Sequence, residues 1–338
     1  MNRYARFENV EVSSLRVILS KRLAASTVHR LALEYRNGPN AQTCPRTLFL
    51  KLGTPRPLNE GPADICRAEV DFYTKVAPAT SCPPLVRVYD AAFSSVSGRS
   101  HILLEDLSGT HSQPGENAAP SAEMSRLALE AMGKVHARWW GDPRLGNGIG
   151  TVFNSDWLAS FIADLNTSVA EFIQSGSGEE LTAKQKDSYR LMLNAAPRIW
   201  GRLTDVRGLT VTHGDAHWWN FLYPNDAAVH SVRVFDWQLW HIDLGARDLA
   251  FLLALGGFAK PRPGLGANLL RVYHDTLIEN GVTGYSWKML NEDYRWSVIR
   301  NLNIPIIFRS QGKHERTWKE ALQRAFDSYD RLGCASLL

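Results

Sequence analysis

The alternation of apolar and polar positions along this chain changes period once. Near the N-terminus, LRVILSK and TVHRLALEY repeat in steps of two, and RTLFLKLG sets Leu48, Leu50 and Leu52 on one face of a strand, with Thr47, Phe49 and Lys51 on the other. Lys51 therefore points away from the leucine face. ADICRAEVDFYTKVAP switches to helical spacing, with Ile65, Glu69, Phe72, Tyr73 and Val76 on one stripe. A carboxylate on such a stripe is costly unless it meets a cation. Glu69 either pairs, with a lysine on a neighbouring strand as the obvious partner, or lies at the edge of the stripe and reaches water. PPLVRVYDAAFSS and RSHILLEDLSG are two more strand-like runs.

Beyond Leu107 the pattern is mostly helical. GTHSQPGENAAPS reads as a linker, and SAEMSRLALEAMGKVHARWWGD starts behind Ser121 with Met124, Leu127, Ala128, Ala131 and Val135 at helical spacing. His136, Trp139 and Trp140 close that helix in a packing role. NSDWLASFIADLNTSVAEFIQS and TAKQKDSYRLMLNAAPRIWGRL are two further amphipathic helices. The expected division is a strand-rich lobe over residues 1–107 and a helical lobe over residues 108–338.

Composition narrows this picture. A chain of 338 residues with 44% hydrophobic and 21% charged residues is long enough for two cored lobes and is no disordered tail. The net charge of +4 is spread among interspersed acids, without the dense basic runs of a nucleic-acid face. No apolar stretch approaches the roughly 18 residues of a membrane span, and MNRYARFENVEVSS has no apolar leader core, so a cytoplasmic protein is expected. Cys44, Cys66, Cys82 and Cys334 stand singly, signalling neither a zinc site nor a disulfide framework.

The candidate chemistry lies in VTHGDAHWWNFLY and, after it, VRVFDWQLW. One reading is a non-haem metal triad of His213, Asp215 and either His230 or His241. That site is built on a barrel with many strands after the first ligand, whereas helices dominate here, and HGDAH lacks the glutamate of H-E-x-x-H. The other reading is phosphoryl transfer. His213, Asp215 and Asn220 reproduce H-x-D-x-x-x-x-N, where the aspartate takes or orients the proton of the acceptor hydroxyl and the asparagine holds a metal. Asp236 follows the strand-like SVRVF as a second oxygen ligand suited to Mg²⁺. Upstream, Lys51 and Glu69 are the ion pair that positions the α- and β-phosphates. RLAASTVHR is a weaker phosphate-loop signal that makes Ser26 and Thr27 candidates.

HGDAHWWN, FDWQLW in the place of D-F-G, GARDLAFLL, LLEDLSG and KVHARWW give the chain its resemblance to a known family. Over roughly residues 10 to 310 it resembles the aminoglycoside phosphotransferase and choline kinase superfamily, and within it the ecdysteroid-kinase-like branch of small-molecule kinases. The resemblance implies an α+β, protein-kinase-like bilobal fold with a strand-rich N-lobe and a mostly helical C-lobe. It further implies ATP, Mg²⁺ and transfer of the γ-phosphate to a hydroxyl. It assigns Asp215 as base, His213 as the residue orienting the loop, Asn220 and Asp236 as Mg²⁺ ligands, and Lys51 with Glu69 as the phosphate-positioning pair. Glu105 and Leu107 would offer backbone groups to adenine, and Asp248 would support the lobe. The chain departs from the family in RLAASTV, which lacks the usual glycine, although Ala24 and Ala25 are small enough for backbone approach. His217, Trp218 and Trp240 are candidate acceptor-lining residues, with one of Trp218 and Trp219 expected to pack.

Three function classes are distinguishable. A protein kinase needs an activation segment and an A-P-E-like anchor, and only about ten residues separate Asp236 from RDLAFLLAL. A catalytically silent binding protein would have lost the base or a metal ligand, and all are present. A small-molecule kinase remains. From Lys260 onward Arg and Lys outnumber Asp and Glu, with Arg295, Arg300 and Arg309 among Trp296, Ile304, Ile307 and Phe308. That balance disfavours a polycationic aminoglycoside and points to a neutral or weakly acidic, partly apolar acceptor such as a natural product, antibiotic or steroid.

Overall fold

The computed structural model describes residues 10–23, 26–36, 41–53, 65–80, 83–115, 120–226, 231–256 and 265–338. Ala24, Ala25, Cys82, His230 and Lys260 lie outside them. Along the chain, β1 (Val12–Arg22), β2 (Ser26–Tyr35) and β3 (Thr47–Gly53) precede α1 (Ile65–Asp71), β4 (Val88–Phe93), β5 (Ser100–Glu105) and β6 (His111–Ser112). There follow α2 (Ala122–Trp139), α3 (Ser155–Gln174), α4 (Gly176–Glu179), α5 (Ala183–Gly201) and β7 (Leu209–Thr212). Next come β8 (Phe221–Pro224), β9 (Arg233–Val234), β10 (His241–Leu244) and α6 (Ala246–Ala250). Last are α7 (Leu265–Glu279), α8 (Trp287–Arg300), α9 (Ile304–Ser310) and α10 (Glu315–Arg331).

Two compact units divide the chain: Met1–Gly115 with Trp219–Trp240, and Glu116–Trp218 with His241–Leu338. They are not consecutive in sequence, since the Trp219–Trp240 segment packs with the strand-rich unit. In that unit a five-stranded antiparallel sheet runs in the order β1-β2-β3-β5-β4. Leu31, Leu33, Leu48, Tyr89 and Leu103 form a buried cluster, against which Leu50 packs. Because side chains alternate across a strand, Phe49 and Lys51 face the other way. The predicted helix is present, with α1 continued by a wider turn over Phe72–Val76. The ring of Phe72 stacks on Trp237 with centroids 4.0 Å apart, joining α1 to the later segment.

The second unit is helical around the β7–β10 pair, in which Thr212 faces His241 and Leu209 faces Leu244. Its helices begin where the sequence supplies caps. Ser121 accepts the Met124 N–H, Asn154 accepts the Trp157 N–H, and Thr182 with Gln185 forms a reciprocal capping box.

Arg300, part of the Arg and Lys excess beyond Lys260, is buried, and its two terminal nitrogens donate to the Asp243 carboxylate at 2.8 and 2.5 Å, so its charge is already neutralised. Burial alone would raise the Asp243 carboxyl, but the guanidinium outweighs it and holds the group far below the usual carboxylate range. Arg295 donates to the Gly333 carbonyl and Ser336 Oγ, and the Arg309 guanidinium lies 5.9 Å from the Phe172 ring centre. Arg300 and Arg295 therefore serve the fold. Arg300→Met, which strands a buried carboxylate, is expected to cost about 3–5 kcal/mol in urea denaturation. A loss below about 1 kcal/mol, the range of exposed pairs, would refute this. The stabilisation from Asp243 is present above the unfolded carboxyl value of about 3.9 and is lost as pH falls towards the depressed folded value.

Candidate functional site

In the strand-rich unit, three charged side chains from distant parts of the chain meet. The Lys51 ammonium on β3 donates to Glu69 Oε1 at 2.8 Å and to Asp236 Oδ1 at 2.5 Å. Glu69 is 5% exposed, so of the two possibilities left by its stripe position the structure realises the ion pair. Burial would lower Lys51, yet Glu69 and Asp236 outweigh it and hold the lysine above its ordinary value. Burial pushes Glu69 up to about 7 against the pull of Lys51, and the nearby Asp236 adds to the rise. One cation thus stands against two carboxylates.

Asp236 is the one non-glycine with a left-handed backbone among the described residues, at φ 65. An aspartate tolerates that conformation better than most residues, and its cost suggests a role for the side chain's direction. The β8–β9 pairing sets Phe221 opposite Val234, and the Phe235 N–H donates to the Asn220 carbonyl at 3.2 Å. Asn220 and Asp236 are thereby held on neighbouring strand ends. Trp240 donates its indole N–H to the Ala68 carbonyl at 2.6 Å, next to Glu69 in sequence. Its polar group is spent on holding α1.

In the second unit, β7 delivers the HGDAH loop. Asp248, at the start of α6 and 1% exposed, accepts the His213 N–H at 2.6 Å and the Gly214 N–H at 3.0 Å. His136 Nε2 faces the same carboxylate at 3.3 Å, and Tyr273 Oη lies 2.8 Å from His136 Nδ1. Burial works to raise Asp248, but the hydrogen bond and charge of His136 prevail and lower it. Gly245 is required beside this chain, since a Cβ there would collide with Tyr273 Oη and come within 2.8 Å of His136 Nδ1. The clamp fixes the loop backbone, and the Asp215 N–H points to His213 Nδ1 at 3.3 Å. The Asp215 side chain keeps 25% exposure and lies 3.5 Å from His217 Nε2. It is open to a hydroxyl, while His213 is fully buried.

The other expected residues differ in exposure and in their contacts. Trp218 is 2% exposed and Trp219 37%, so Trp218 is the tryptophan that packs and Trp219 the one that meets solvent. Thr27 pairs with Leu52 and therefore points to the face opposite Lys51, whereas Ser26 shares the Lys51 face and is buried. Glu105 spends its carboxylate on the Arg87 N–H at 2.8 Å, and the Leu107 carbonyl accepts the N–H groups of Thr110 and His111. Between them Asp106 binds Arg30 Nε at 2.6 Å and the Ser108 N–H at 3.0 Å. Asp106 was missed in the sequence; its signal is the Asx turn available to an aspartate two residues ahead of a serine. No group of three or more His, Cys, Asp or Glu able to hold a metal occurs among the described residues. His241 of the triad reading faces Asp243 instead, at 3.3 Å.

Residues 40–285 match the family model described as the phosphotransferase enzyme family. Among solved structures, the chain is similar to a candidate aminoglycoside phosphotransferase from Ralstonia eutropha, with 14% identity, 96% of this chain and 93% of that chain covered, and a TM-score of 0.58. Plasmodium vivax ethanolamine kinase gives 11% identity, 95% and 83% coverage, and a TM-score of 0.57. Amicoumacin kinase hAmiN, solved in complex with AMP-PNP, Ca²⁺ and Ami, gives 12% identity, 96% and 88% coverage, and a TM-score of 0.52. At these identities the likeness shows the fold, which is kinase-like and α+β. No curated protein matches the chain.

Proposed function

The chain belongs to the phosphotransferase enzyme family, and we propose that it is a small-molecule kinase moving the γ-phosphate of ATP, with Mg²⁺, to one hydroxyl of a neutral or weakly acidic acceptor with a sizeable apolar body. The observation that carries this reading is the Lys51 ammonium held at once by Glu69 and Asp236. HGDAHWWN and FDWQLW support the ecdysteroid-kinase-like branch within the family. A cytoplasmic location fits the need for ATP, and no helix among the described residues is long and apolar enough to cross a membrane.

Asn220 and Asp236 fit a Mg²⁺ ion: both offer hard oxygen donors on neighbouring strand ends, beside a cluster with an excess of negative charge. When bound, the ion would neutralise charge on the phosphate oxygens. Lys51 would hold the α- and β-phosphates, kept on aim by Glu69. Backbone groups of Glu105 and Leu107 would meet adenine, with the Leu107 N–H offered because its carbonyl is engaged in a turn. Ser26 remains the hydroxyl on the phosphate face. Asp215 would accept the proton of the acceptor hydroxyl as its oxygen bonds phosphorus and the bond to the β-phosphate breaks, releasing ADP. His217, beside Asp215, and the exposed Trp219 are the proposed acceptor contacts.

Lys51→Ala and Glu69→Ala are each expected to lower kcat/KM. Because the pair acts as one unit, the double variant should fall short of the sum by about 0.5–3 kcal/mol. Strict additivity in the cycle would show that the two do not cooperate.

The acceptor's charge no longer rests on Arg300. It rests on buried carboxylates already spent: Asp243 on Arg300, Asp248 on loop amides and His136, and Asp293 on Arg202 at 3.3 Å and on the Tyr285 hydroxyl at 2.9 Å. A polycation would find none of these three free to neutralise it. Acceptor-dependent ADP release is the test, over aminoglycosides, choline, macrolides, nucleoside antibiotics and hydroxysteroids. Turnover of the neutral compounds is expected. Robust turnover of an aminoglycoside or choline with silence from the neutral set would overturn the acceptor class, and silence throughout would favour a non-catalytic binding protein.

A further inference from the structure

A cavity of about 580 Å³ opens on the sheet of the strand-rich unit, apart from the Lys51 cluster. Thr27, Leu52 and His101 are cross-strand neighbours that line it, while Lys51 lies in register with Val28 and Ile102 one step along. Side chains alternate between faces, so Thr27, Leu52, Ala92 and His101 reach the cavity from the face opposite Lys51, whereas Gly53, Phe93 and Ser100 share the parity of Lys51 and border it at the strand ends. Its volume is that of a small-ligand site.

The wall has a definite chemistry. Leu52, 37% exposed, joins Ala92 and Phe93 as an apolar surface left open to water. Arg99 brings a permanently charged guanidinium. His29 adds an imidazole to the wall. His101 also lines the cavity, and its Nε2 meets Asp90 Oδ2 at 2.8 Å, so that acid is engaged. Among the described residues no Asp or Glu lines the cavity.

We propose that this cavity is a second ligand site, which binds a small organic anion with an apolar body, its charged group meeting Arg99 and the His29 imidazole and its body covering Leu52, Ala92 and Phe93. The site does not depend on the phosphotransferase reading, because it shares no residue with the Lys51, Glu69 and Asp236 cluster.

Calorimetry on the full chain tests it, with phenyl phosphate, benzoate and uncharged benzyl alcohol as probes. The anions are expected to bind, and benzyl alcohol at least about tenfold more weakly. Arg99→Gln, at an exposed position, should weaken the anions by about tenfold, and Ala92→Phe should abolish binding by filling the wall. Lys51→Ala should leave affinity within about twofold, which separates this cavity from a phosphate site at Lys51. Tighter binding of phenyl phosphate identifies phosphate monoesters as the natural class, and tighter binding of benzoate identifies carboxylates. The proposal is overturned if neither anion binds by about 10 mM, if Arg99→Gln leaves binding unchanged, or if Lys51→Ala abolishes it.

Discussion

Asp215→Asn is expected to lower kcat by about 10²–10⁴-fold, the contribution of a positioned general base, while fold and nucleotide affinity stay near wild type. The substitution is nearly isosteric, so the backbone contact to His213 Nδ1 and the Asp248 clamp on the loop should survive. What disappears is an oxygen able to take a proton. His217 Nε2, 3.5 Å from Asp215 Oδ2, retains its place but loses the charge it faces. Steady-state kinetics with an acceptor from the panel, alongside thermal melts, separates this role from a structural one. Asp248→Asn, by contrast, should depress the melting temperature and turnover together, because it removes a buried charge that two amides and His136 share. Near wild-type turnover by a folded Asp215→Asn protein would refute the assignment.

Asp236→Ala is expected to abolish Mg²⁺-dependent nucleotide binding, and to do so more completely than Asn220→Ala. A carboxylate neutralises part of the metal's charge, whereas an amide offers only a dipole. Asp236 also carries one of the two contacts to Lys51, so its loss leaves the ammonium held by Glu69 alone. The backbone needs a control, since alanine at φ 65 costs about 1–2 kcal/mol more than a residue suited to that region. Asp236→Gly removes the carboxylate without that strain and should lose nucleotide to the same extent. Titration calorimetry with ATP at varied Mg²⁺ measures all three variants. Equal losses for Asn220→Ala and Asp236→Ala would count against the ranking, as would rescue by glycine.

The sheet and helices were legible in the sequence because their signals are local. Alternation placed Lys51 opposite Leu48, Leu50 and Leu52 without reference to any distant residue. The caps at Ser121, Asn154 and Thr182 act within three positions of themselves. The order of Lys51, Glu69, Asp215, Asn220 and Asp236 was enough for a family resemblance. Thr27 shows how narrow this legibility is, because a single step in register separates it from the face of Lys51.

Taken by itself, the sequence determined the periods, the caps and the spacing of the phosphotransferase motif, all of which depend on neighbours within a few residues. Tertiary structure decided the partners. Lys51 and Asp236 are 185 residues apart and Arg300 and Asp243 are 57, and only the folded path of the chain brings each pair together. The same holds for which tryptophan of the loop is buried and for the packing of Trp219–Trp240 with the strand-rich unit. A buried charge must find its counter-charge wherever the chain provides one, and no local pattern records where that is.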